Sequence, residues 1–130
     1  MKFMLAFGIC LLLAGCATTP SFQTLTERDN GRHISVPVGE VLVVQLPGNP
    51  TTGFSWQART AADSVLESMG EPTYIQNPAR LGMTGVGGTE SWQFKAVKAG
   101  SETLRLEYVR SWETNTAPAK VITFDLVVRS

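Results

Sequence analysis

Cysteine is nearly missing from this chain: there are two in 130 residues, Cys10 and Cys16, and both precede the first acidic residue, Glu27. Everything after residue 16 therefore has no thiol for a disulfide, a metal cluster or a nucleophile, and must be held by its core alone. About 110 residues can bury enough surface for one such domain. Histidine is scarcer still. His33 is alone and sits where a strand begins, which marks it as a surface or packing residue and not a general base. The serines have neither a nucleophile elbow nor a histidine partner, so hydrolysis is excluded. Asp63, Asp125 and the glutamates form no paired-carboxylate motif, and no His, Cys or Asp spacing suits a metal. Charge of one sign is also lacking: eleven basic side chains stand against eleven acidic ones, with no basic block. That excludes nucleic acid as a partner. A non-enzymatic, cofactor-free protein is what these absences leave, and a monomer is expected.

The first sixteen residues, MKFMLAFGICLLLAGC, carry one charge, Lys2, and then an apolar run. This is the layout of a secretory signal, too short for a comfortable membrane span. Leu13-Ala14-Gly15-Cys16 resembles the bacterial lipoprotein processing box. The resemblance implies a signal over residues 1–15, acylation of Cys16, a palmitate-bearing lipoprotein and a lipid membrane as partner. Ala17, not an acidic residue, follows the cysteine. The implied location is the bacterial cell envelope, at the outer membrane facing the periplasm. Residues 16–30, rich in Thr and Ser and holding Pro20, read as the lipidated cysteine and a polar tether, and 31–130 as the domain.

From His33 onward, short runs of β-branched and aromatic residues alternate with Gly, Pro and Asn, the pattern of an all-β fold. Strands are expected at 32–36, 41–46, 54–59, 65–69 resuming at 73–75, 90–97, 102–109 and 120–128. About seven strands in a domain of this size favour a two-sheet sandwich, since each half-buried sheet needs another apolar face over it. Trp56 and Trp92 share faces with Phe54 and Phe94 and read as core, as do Leu66 and Met69.

If each strand crosses the sandwich once, three loops meet at one end. The first, 47–53, holds Asn49-Pro50-Thr51-Thr52-Gly53, in which Pro50 fixes one φ and Gly53 is free to take a conformation closed to other residues. The second, 77–89, contains Gly85-Val86-Gly87-Gly88, and no lysine follows it as a phosphate-binding loop requires. The third begins Arg110-Ser111-Trp112. Each has a plain reading beside the functional one: a surface turn, a flexible connector, and a tryptophan folded back over the open end of the core.

Asn49-Pro50-Thr51-Thr52-Gly53-Phe54, Gly85-Val86-Gly87-Gly88 and Arg110-Ser111-Trp112, in that order, resemble the three motifs of the chagasin family, immunoglobulin-like inhibitors of papain-type cysteine proteases. The resemblance spans roughly residues 36–128 and implies an immunoglobulin-like β-sandwich that inhibits a papain-like cysteine protease reversibly. Asn49, Pro50, Thr51, Thr52, Gly53 and Phe54 would form the loop nearest the protease's catalytic cysteine. Gly85, Val86, Gly87 and Gly88 would run along the cleft through backbone contacts, and Arg110 and Trp112 would pack near the catalytic histidine. Ser111 departs from the family's usual proline between the arginine and the aromatic residue. The alternative function on the same scaffold is a non-enzymatic envelope lipoprotein that binds another protein or a glycan.

Overall fold

A computed structural model describes residues 21–78 and 87–130. The expected signal segment, Cys16, Gly85 and Val86 lie outside the described residues. The strands are β1 (Phe22–Thr26), β2 (His33–Pro37), β3 (Val41–Gly48), β4 (Phe54–Arg59), β5 (Leu66–Ser68), β6 (Thr73–Gln76), β7 (Gly88–Ala96), β8 (Gly100–Arg110) and β9 (Lys120–Arg129). One sheet has the order β1-β3-β7, with β5 and β6 end to end along the far edge of β7; the other has the order β2-β9-β8-β4. Most neighbours are antiparallel, while β1 runs parallel to β3 and β2 parallel to β9.

Alternation dictates which side chains face in. On β9, Ile122, Phe124, Leu126 and Val128 are buried while Val121, Thr123 and Asp125 are not. Leu104 and Leu106 on β8, Phe94 and Ala96 on β7, and Leu42, Val44 and Leu46 on β3 meet them in a single core. Trp56 of β4, only 2% exposed, is among its largest members, and its indole Nε1 donates to the Pro47 carbonyl at 3.0 Å. The result is an all-β, immunoglobulin-like sandwich.

Four expectations need correction. The strand placed at 65–69 and 73–75 is two elements, β5 and β6, separated at Gly70, whose φ of 85° breaks the extended backbone. Met69, expected in the core, is 45% exposed. Trp92 is half-buried at the rim of the core and not inside it. Finally, Phe22–Thr26 is no tether: it is an edge strand in register with β3, and it buries Leu25. Its polar composition hid it, because only one side chain in the strand reaches the core.

Candidate functional site

The first and third loops and the described base of the second meet at one end, and the register shows why. Gly48, the last residue of β3, pairs with Gly88, which pairs in turn with Gln76 of β6; in the other sheet Phe54 pairs with Arg110. All these strand ends finish at the same level and form a rim.

The first loop is a 3-10 turn over Pro50–Thr52. Asn49 builds it. Its side-chain Oδ1 accepts from the Thr51 backbone N–H at 3.2 Å and from the Thr51 hydroxyl at 2.6 Å, and its carbonyl accepts from the Thr52 N–H at 3.2 Å and the Thr52 hydroxyl at 2.7 Å. This is the capping role for which asparagine is suited, with Pro50 at the first position of the turn. Gly53 closes it at φ 81°, a left-handed conformation that glycine takes without strain. Both threonine hydroxyl protons are committed inward. Thr51 and Thr52, both exposed, therefore present methyl groups and acceptor lone pairs outward.

The third loop leans on the first. Arg110 donates from Nε to the Thr52 carbonyl at 3.1 Å and from Nη1 to Glu113 at 3.1 Å, and its guanidinium lies 4.3 Å from the centre of the Phe54 ring. Behind Phe54 the aromatic stack continues into the core, with Tyr108 at 5.1 Å and Trp56 at 4.8 Å beyond it. The Glu113 N–H returns to the Arg110 carbonyl at 3.1 Å, so Ser111 and Trp112 are the central residues of a four-residue turn. The Trp112 ring rests on the Cα of Gly53, where any side chain would collide with it, yet it stays 66% exposed. Trp112 therefore stands out of the core and does not cap it.

Of the second loop, the described residues hold its base. The Asn77 N–H donates to the Gly87 carbonyl at 3.0 Å, and Gly87 packs within 3.2 Å of the Gly48 carbonyl, as measured from where its Cβ would sit. Gly88 is buried. A Cβ there would meet the Ile75 carbonyl and would stand 2.7 Å from the Tyr74 ring and hydroxyl. Space inside the fold thus demands glycine at 88, whereas Gly87 borders the first loop. Thr51, Thr52, Gly53, Arg110 and Trp112 are brought together, with Asn49, Pro50 and Phe54 as their frame.

Two residues at the rim escaped sequence reasoning. Tyr108 accepts the Asn49 N–H on its hydroxyl at 3.1 Å. Glu90 shares its strand face with Trp92 and Phe94 and points between the sheets, where its carboxylate accepts from the Trp56 N–H at 3.4 Å and the Trp92 indole at 3.2 Å. Burial raises the Glu90 pKa against those hydrogen bonds, which lower it. The signal for both was present in the alternation: each is a polar-tipped residue at an inward position beside the rim.

Residues 35–128 match the family described as "Chagasin family peptidase inhibitor I42". The chain belongs to the chagasin family. Chagasin of Trypanosoma cruzi is 37% identical over 89 residues, covering 68% of this chain and 81% of that one. Amoebiasin-2 of Entamoeba histolytica is 28% identical over 113 residues, covering 87% and 90%. The crystal structure of the cysteine protease inhibitor EhICP2 from Entamoeba histolytica superposes with a TM-score of 0.74 at 28% identity, covering 84% of this chain and 96% of that one. As a chagasin-family member the chain is a peptidase inhibitor and not an enzyme.

The same relatives overturn the expected setting. They come from Trypanosoma and Entamoeba, eukaryotic parasites, and no bacterial envelope lipoprotein stands among them. The bacterial outer-membrane, periplasm-facing localisation and the lipoprotein, membrane and palmitate attributes drawn from residues 13–16 are corrected accordingly. Four residues, three of them small or apolar, are too short a pattern to fix a compartment against the family's evidence. Acylation of Cys16, and with it a lipid partner, gains no support from these relatives.

Proposed function

We propose that this chagasin-family inhibitor acts on papain-like cysteine proteases, reversibly and without covalent chemistry, by seating its three-loop rim in the active-site cleft. The observation that carries the reading is the convergence of the Pro50–Thr52 turn, the Gly87 strand end and the Arg110–Trp112 turn on one rim, with Trp112 left standing in solvent. Thr51 and Thr52 approach the catalytic cysteine, the glycine segment follows the cleft through its backbone, and Trp112 covers the side of the catalytic histidine. Arg110, already engaged with Thr52, Glu113 and Phe54, holds two of these loops at a fixed spacing. The inhibitory unit includes β1, whose Leu25 belongs to the core.

A 3-10 turn tied to Asn49 is a poor protease substrate, because a cleavable peptide must be drawn out extended. It is also nearly free of ordering cost when it binds. Active-site titration of papain and of a cathepsin L-type enzyme with the full chain tests the proposal. Stoichiometric inhibition, reversible on dilution and abolished by Thr52→Arg, is the expected result. A folded chain that leaves both enzymes fully active overturns it.

A further inference from the structure

We propose that Tyr108 is a positioning residue: its hydroxyl sets the height of the Asn49–Thr52 turn above the sandwich, and hence the fit of the inhibitory rim. The proposal rests on the function just given and deepens it.

The contacts form a closed circuit. The Tyr108 hydroxyl accepts the Asn49 N–H at 3.1 Å; Asn49 holds Thr51 and Thr52 through its side chain and carbonyl; the Thr52 carbonyl accepts from Arg110; Arg110 lies on Phe54; and Phe54 stacks back on Tyr108. Tyr108 is the member of this circuit that also reaches the core, through its stack on Trp56 and its register opposite that residue. Asn49 and Arg110 hold Thr51 and Thr52, while the Gly53 N–H donates to the Pro50 carbonyl at 3.0 Å and closes the turn on itself. Arg110 and its Thr52 and Glu113 partners are exposed or half-exposed. The Tyr108 bond to Asn49 is part-buried. A shielded bond to a ring stacked on both Phe54 and Trp56 is a firmer reference point than a solvated ion pair. Without it, the turn keeps its internal hydrogen bonds and its tie to Arg110 but loses its shielded bond to Tyr108.

Tyr108→Phe removes the hydroxyl and preserves both stacks. The full-length variant should inhibit papain about three- to tenfold more weakly, the range that one net hydrogen bond supplies, and its melting temperature should fall by only a few degrees. Amide exchange of the free inhibitor, followed residue by residue, should quicken at Asn49, Thr51 and Thr52 while the strand amides of β8 and β9 keep their wild-type rates. A purely structural tyrosine would instead speed exchange across the core. Exchange and inhibition both unchanged in Tyr108→Phe overturn the proposal. Because exchange is measured without a protease, a wild-type chain that fails to inhibit papain would sink the functional reading and still leave the positioning of the turn decided.

Discussion

Trp56 and Trp112 are one residue type in two roles, separated by where alternation leaves them. Trp56 sits on an inward position of β4 and is almost wholly buried; Trp112 falls in the turn after β8 and rests on a glycine with most of its ring in water. Trp56→Ala should lose about 3–5 kcal/mol through the cavity it leaves, and Trp112→Ala almost none. For binding the order should reverse: Trp112→Ala should weaken protease inhibition by roughly thirtyfold or more, as removal of a central aromatic anchor does, with the melting temperature held within a degree or two. Melting curves and inhibition constants for both variants check the pair. A collapsed melt in Trp112→Ala would mean that the ring caps the core. The sequence motif made Trp112 a candidate, but its exposure was undecidable from the chain, because a strand-end tryptophan can turn either way. Arg110 was legible as a site residue but not as a strut, since its partners Thr52 and Phe54 are more than fifty positions away in sequence.

Strands with strict alternation, such as β8 and β9, could be read directly from the chain, and so could the turn at Asn49-Pro50. Two elements could not. β1 places a single side chain in the core, which is too little period to separate a strand from a linker. β5 and β6 are three and four residues long, and their shared neighbour β7, not their own composition, makes them strands. Gly88 marks the junction between β7 and β6. Its backbone approaches Ile75 and the Tyr74 ring more closely than any Cβ would allow, so glycine is required there by packing. Gly88→Ala should push β6 off the edge of β7. The expected outcome is faster amide exchange over residues 73–76 and a loss of about 1–3 kcal/mol, typical of an overpacked site, while β8 and β9 keep their protection. Wild-type exchange in β6 would show that the strand can shift to admit a methyl group.

For the molecule as a whole, Glu90 gives folding a pH dependence with a definite sign. Its pKa is raised by burial, and the hydrogen bonds from Trp56 and Trp92 only partly offset this. The folded state thus holds that proton more tightly than the unfolded chain. Its contribution is complete below the ordinary glutamate range and is lost as pH rises through the raised value. Asp29, Asp63 and Glu107 act in the opposite sense: hydrogen bonds from the Thr26 N–H, Lys98 and Arg59 lower their pKa values, so their contributions disappear only as pH falls below the ordinary range. Unfolding free energies of wild type and Glu90→Gln, compared from mildly acidic to neutral pH, should show a steeper decline in the wild type. Parallel curves would mean that Glu90 is solvated like any surface carboxylate. The parallel pairing of β1 with β3 has a practical outcome at this scale. β3 runs toward the rim, so β1 begins at the opposite pole, where the Val41 N–H meets the Ser21 carbonyl; β9 ends there too, with the Arg129 carbonyl on the Val38 N–H. Both ends of the described fold emerge from the base. A tag, bead or fused partner joined at either one leaves the loops pointing away from the attachment, which makes the scaffold a natural capture head for immobilised protease assays.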